Sequence, residues 1–171
     1  MRAKKGFLPV DDRAQFEALV RLPEGRSLAA TEVIGERVAR MIRQMPEVTA
    51  TLVTIGDDDQ RTPNLARIYV KLVHPTLRAL SQDEVKARVR DLVMPTLPKD
   101  LRVSIADVNE FGGGQSTARI QMMLGGPDLK TLERINDRVL DELKRIPGAV
   151  DVDSSSIVGK PELGVYIDRD R

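Results

Sequence analysis

LPEGRSL (residues 22–28) opens a helix-like stretch that closes at QMPEV (residues 44–48), and LGGPDL (residues 124–129) opens another that closes at RIPGAV (residues 145–150). Aligned on Gly25 and Gly126, the later landmarks stay in step without a gap. Leu28 meets Leu129, Ile34 meets Ile135, Arg37 meets Arg138, Val38 meets Val139 and Pro46 meets Pro147. Ser27 and Asp128 sit where a helix N-cap belongs, because a short side-chain oxygen accepts the orphan N–H groups of a first turn. Leu28, Thr31, Ile34, Val38, Ile42 and Met45 recur at three- and four-residue steps, and so do Leu129, Leu132, Ile135, Val139, Leu143 and Ile146. Each set is one apolar stripe on a helix. Each helix then stops at a proline, which cannot continue the backbone bonding.

The segments between have the other periodicity. Phe16, Ala18, Val20 and Leu22 alternate with Gln15, Glu17, Leu19 and Arg21, as in a strand with one covered face. Residues 49–55, 66–73, 102–108, 118–124, 150–154 and 164–167 are also rich in strand formers. A further helix starts at Ser81, with Glu84 three residues on completing a capping box, and turns Val85, Val89, Leu92 and Val93 inward.

Up to Asn109 the order is therefore β-α-β-β-α-β, the split βαβ or ferredoxin-like arrangement, with helices on one face of an antiparallel sheet. FGGGQS (residues 111–116) marks the boundary, since three consecutive glycines suit no regular element. A β-α-β-β unit follows. The expectation is an α+β protein of tandem ferredoxin-like βαββαβ subdomains, residues 6–111 and 116–171, with the second incomplete and the chain a fragment of something longer.

Composition narrows the function. The 171 residues have room for one large domain or two small ones, and a folded chain of this size buries about 70% of its extended surface. With no cysteine, disulfides and thiolate metal sites are excluded. Lys and Arg total 27 against 26 Asp and Glu, a balance that argues against nucleic acid as a partner. Phe7, Phe16, Phe111, Tyr69 and Tyr166 are too few for a base-stacking platform. No apolar run approaches the roughly 18 residues that span a bilayer. MRAKKG is basic, but FLPVDD follows where a signal peptide needs an apolar core, so a soluble chain is expected.

Motifs for chemistry are absent. GDDDQRTPN (residues 56–64) joins two strands; its three aspartates could ligate a hard cation, but they lack the alternation and distant glutamate of a calcium loop. A solvated hairpin loop is the expectation, with no metal. His74 is the sole histidine and precedes a proline, which suits a turn rather than catalysis. Met122 and Met123 are adjacent on an expected strand and point to opposite faces, which suits core filling. Neither glycine-rich stretch is followed by the Gly-Lys-Ser/Thr of a phosphate loop. No enzyme and no cofactor is expected.

Three stretches carry a resemblance. FLPVDDRAQFEALVRLPEGRSLAATEV (residues 7–33), IQMMLGGPDLKTLERINDRVLDELKRIPGAVDV (residues 120–152) and GKPELGVYIDRDR (residues 159–171) together resemble the resistance–nodulation–division (RND) efflux transporters. Phe7-Leu8-Pro9 followed by Asp11 and Asp12 is similar to the start of that family's second large periplasmic loop. The resemblance implies a first porter subdomain and part of a second, which in the family is completed only after a docking insertion. It implies the periplasmic portion of a proton-driven bacterial inner-membrane pump, working as a homotrimer with a periplasmic adaptor and an outer-membrane channel to export small molecules. Proton-relay residues would lie outside this chain.

Porter subdomains in the family rock as rigid bodies, so Gly112 to Gly114 are the expected hinge. The family's switch loop falls on Asp57, Asp58, Asp59, Gln60 and Arg61, and its pocket strand on Thr117, Ala118 and Arg119. Of these, Asp57, Asp58, Asp59, Gln60, Arg61, Thr117 and Arg119 are the expected substrate-binding residues. Multidrug members are phenylalanine-rich there; this polar set argues against a hydrophobic drug, and the lack of methionine near Phe111 argues against copper or silver. The alternative is a free-standing ferredoxin-like module that binds a small metabolite and dimerises through its sheet edge.

Overall fold

β1 (Gln15–Arg21) lies inside a four-stranded sheet in the order β2-β3-β1-β4, paired antiparallel to β3 (Leu65–Leu72) on one side and to β4 (Arg102–Ala106) on the other. β2 (Val48–Ile55) closes the far edge antiparallel to β3. A bulge between Val48 and Ala50 shifts its register by one residue. This computed structural model describes residues 12–58, 61–98, 100–108 and 120–156. The chain falls into two units, residues 1–121 and 122–171.

The first unit has the expected α+β, ferredoxin-like order. Helix α1 (Leu28–Arg43) connects β1 to β2, and α2 (Gln82–Val93) connects β3 to β4. Each starts where its cap residue stands. Ser27 Oγ accepts from Ala30 N at 3.2 Å, and Ser81 with Glu84 forms the reciprocal capping box. Those hydrogen bonds hold the Glu84 carboxyl below its ordinary range. Exposed His74 accepts from Thr76 N and so caps a single 3-10 turn, Pro75–Leu77, as its position suggested.

Both helices cover one sheet face. Phe16, Ala18 and Val20 of β1 and Ile68 and Val70 of β3 are buried against Val38, Ala39 and Ile42 of α1 and Val85, Val89 and Val93 of α2. Burying a side chain of this size stabilises the fold by about 1.5–3 kcal/mol. Asn64, itself buried, joins the end of β1 to the start of β3 by donating from Nδ2 to Leu22 O at 2.8 Å, while Leu22 N donates to Asn64 O at 2.8 Å.

Two stripe residues differ from expectation. Leu28 and Leu92 are exposed: Leu28 stands in the first turn of α1, and α2 presents Leu92 beside the Val85–Val89–Val93 line rather than on it. At one point where α1 passes close to the sheet, the sequence has a glycine. A Cβ on Gly35 would stand 3.2 Å from both Ala66 Cβ and Val53 Cγ1.

In the second unit, α3 (Leu129–Arg145) begins in step with α1, and Asp128 caps it by accepting from Thr131 N at 3.0 Å. Its strands differ from expectation. Residues 120–124 and 150–154 form no strand, and among the described residues of this unit α3 is the one regular element. Met122 and Met123 are therefore exposed, Met123 at 98%, rather than core-filling, and no residue of α3 is buried. The tandem resemblance thus holds for the caps and helices and not for the described strands. Expected strand 164–167, the boundary at 111–116 and the resemblance-bearing Phe7-Leu8-Pro9 lie outside the described residues.

Replacing Gly35 tests the close approach. Gly35→Ala is expected to change stability by less than about 1 kcal/mol, since helix propensity offsets the tight contact. Gly35→Val is expected to cost about 1–3 kcal/mol through overpacking. Urea unfolding measures both, and an indifferent Gly35→Val would contradict the packing.

Candidate functional site

Strand alternation that buries Phe16, Ala18 and Val20 turns Gln15, Glu17, Leu19 and Arg21 to the other sheet face, on the side away from α1 and α2. Arg67, Tyr69 and Lys71 of β3, Leu52 and Thr54 of β2, and Arg102 and Ser104 of β4 share that face by register. Arg67 Nη1 donates to Glu17 Oε2 at 2.8 Å, and Tyr69 Oη donates to Gln15 Oε1 at 2.8 Å. Both are diagonal contacts across the β1–β3 ladder. The open face is thus a polar surface ordered by its own cross-strand pairs.

The β2–β3 loop stands at one end of this face. Asp57 is exposed, and its Oδ2 lies 3.4 Å from Arg67 Nε. That nitrogen is buried and makes no hydrogen bond, so the contact is one of charge without alignment. Asp58 turns inward on the loop itself. Its Oδ1 accepts from Thr62 N at 2.6 Å, its Oδ2 accepts from the Thr62 hydroxyl, and its backbone oxygen accepts from Arg61 N at 2.8 Å. Gly56 and Arg61 both have positive φ, +66° and +49°, which lets the loop close tightly; a Cβ at Gly56 would press on the Arg61 backbone. Desolvation pushes the Asp58 carboxyl up, but the Thr62 bonds, its own backbone and the nearby Arg21 charge outweigh it and hold the pKa below the usual range.

Of the expected substrate-binding residues, the structure places Asp57 against Arg67, Asp58 in the loop's internal turn and Arg61 exposed beside it. Asp59, Gln60, Thr117 and Arg119 lie outside the described residues. Sequence reasoning passed over Gln15, Glu17, Arg67 and Tyr69. The signal was available, since they are the polar half of an alternation read only for its apolar half. Among the described residues no group of three or more His, Asp or Glu is gathered as a metal site.

On the helix side, Met41, Gln44, Met45, Pro46, Arg88 and Leu92 line a cleft of about 200 Å³. Ligand sites usually exceed about 300 Å³. Arg88 is already committed to Glu47, at 3.3 Å, so the open sheet face is the better candidate.

Comparison with known proteins agrees with the fold. The sequence matches the AcrB/AcrD/AcrF family over residues 1–171. It is 26% identical over 177 aligned positions to Protein HelA of Legionella pneumophila, covering 96% of this chain and 16% of that protein. The structure is similar to a crystal structure of a heavy metal efflux pump in crystal form II, with TM-score 0.66, 20% identity, 85% of this chain and 16% of that one. For crystal form I the TM-score is 0.62, at 16% identity, over 80% of this chain and 15% of that one. The chain therefore spans about a sixth of the length of each. Among the described residues no helix is long and apolar enough to cross a membrane.

The Asp58 turn gives a pH signature. A carboxyl whose folded pKa lies below its ordinary 3.8 contributes stability that is complete above that value and is lost as pH falls through the lower, folded one. Asp58→Asn is expected to lower the urea midpoint at neutral pH, and the difference is expected to shrink as pH falls through the folded value and the unsubstituted protein loses the charge. Equal midpoints across the whole range would contradict the assignment.

Proposed function

Since the chain belongs to the AcrB/AcrD/AcrF family, within the RND efflux pumps, we propose that it forms a periplasmic porter portion of a longer, proton-driven inner-membrane pump. Its part is mechanical. The first unit swings as a stiff body and presents its open face to cargo, without a catalytic step. The whole pump works as a homotrimer joined to an adaptor and an outer-membrane channel.

One observation carries this reading to the sheet: two helices bury one face, and the other carries mainly polar, half-buried residues with Lys71 and Arg102 exposed, in a protein of an export family. Packing of the covered face makes the unit rigid, which rocking requires. Pairing of Glu17 with Arg67 and of Gln15 with Tyr69 makes the open face suited to a polar or charged cargo, not a lipophilic one. A metal cation is the second reading, favoured by the matched structures being those of a heavy metal efflux pump. The free-standing regulatory module is not favoured, because the family match runs the length of the chain.

Expressing the full-length protein in a bacterium stripped of its own pumps tests the proposal. Tolerance to at least one polar compound or metal salt is expected to rise. Leu19→Trp, which adds bulk to the open face and leaves the core alone, is expected to cut that gain about tenfold, the effect of a clash costing about 1.4 kcal/mol, at unchanged protein level. Unimpaired export by Leu19→Trp would overturn the role of this face. Export of lipophilic dyes alone would overturn the cargo class.

A further inference from the structure

The first described stretch before β1 and the stretch after β4 are far apart in sequence, yet both finish on the N-terminal end of α2. At the entry, Asp12 accepts from Ala14 N at 3.1 Å and from Gln82 N at 2.9 Å, and its carboxylate pairs with the Arg78 guanidinium. Arg78 is buried, its side chain only 2% exposed, and also donates to Val73 O at 3.1 Å and to Leu80 O. Gln82 is the middle link. Its Oε1 accepts from Gln15 N at 3.3 Å, and its Nε2 donates to Asp107 Oδ1 at 2.8 Å. At the exit, Asp107 also pairs at 2.6 Å with Lys86, whose side chain is 6% exposed and which reaches Asp83 at 2.7 Å.

The run Arg78–Asp12–Gln82–Asp107–Lys86 therefore ties entry, helix and exit together. Ala14, beside it, has φ +54°, a conformation that costs a residue with a Cβ about 1–2 kcal/mol and persists only when surroundings impose it. Here Asp12 holds its N–H, and its C=O accepts from Leu72 N at 2.7 Å. Each link leans on the next. Losing Asp12 or Asp107 takes from buried Arg78 or Lys86 one of its acceptors, so each lost link weakens the next.

We propose that this network is a mechanical coupler, through which displacement of the chain at Asp12 is passed to the chain at Asp107 by way of the first turns of α2. It goes beyond the transport reading, because the coupling holds whether or not the protein exports anything. Within that reading, it is where movement of neighbouring segments enters the swinging unit.

Native-state hydrogen exchange on the whole 171-residue chain tests it. Asp107→Ala, at the exit, is expected to speed exchange of the Ala14 and Gln15 amides at the entry by about fivefold or more. Asp12→Asn is expected to speed the Ile105 and Ala106 amides by a similar factor, as linked residues require. The Ile68 and Val70 amides of β3 serve as reference and are expected to stay within about twofold. Gln82→Met, which removes the side-chain bonds to Gln15 N and Asp107 while keeping the backbone bond to Asp12 and stranding no charge, is expected to loosen both ends. Substitutions that loosen only their own end would overturn the coupler, as would β3 amides that quicken equally, since that is general destabilisation.

Discussion

Burial of one face of β1 is the constraint on which the remainder of the structure rests. β1 pairs on both sides, with β3 and β4, and its Phe16, Ala18 and Val20 lie fully or almost fully buried beneath both helices. The period of a strand then leaves no freedom for Glu17, Leu19 and Arg21, which go to the opposite face. A one-residue slip would exchange the two sets and put Glu17 against Val38. Helix α1 packs close to the sheet at Gly35, where a Cβ would stand 3.2 Å from both Ala66 Cβ and Val53 Cγ1. Rigidity of the unit and polarity of its open face are thus consequences of one alternating pattern.

Much of this was legible in the sequence because local signals and tertiary demand agree. Ser27, Ser81 and Asp128 are caps in the structure as in the sequence, and Val38, Ile42, Val85 and Val89 are buried on schedule. Local pattern failed where burial depends on a partner remote in sequence. Met122 and Met123 have strand propensity on each side, yet no ladder forms over residues 120–124, and α3 presents a stripe as regular as that of α1 with nothing buried, Leu129 being 76% exposed. Periodicity states which face wants cover; it does not supply the cover.

The site was legible only in part. Loop position came from spacing, but a run of three aspartates conceals that Asp58 is consumed by Thr62 while Asp57 faces Arg67. The Asp12–Gln82–Asp107 network was invisible for a different reason. Its members are polar residues spread over almost a hundred positions, and only the return of β4 to β1 brings them together. Such networks leave no period to read.

A sheet covered on one side and open on the other is the claim beneath all of this, and the absence of native cysteine makes it directly measurable. Single cysteines at positions 70, 71 and 72 of β3 sample the two faces in turn. With a water-soluble maleimide on the folded protein, the account predicts rapid labelling of Lys71→Cys, with Val70→Cys and Leu72→Cys labelled only after denaturation. Equal labelling at all three positions, or protection at 71 with reaction at 70 and 72, would contradict it.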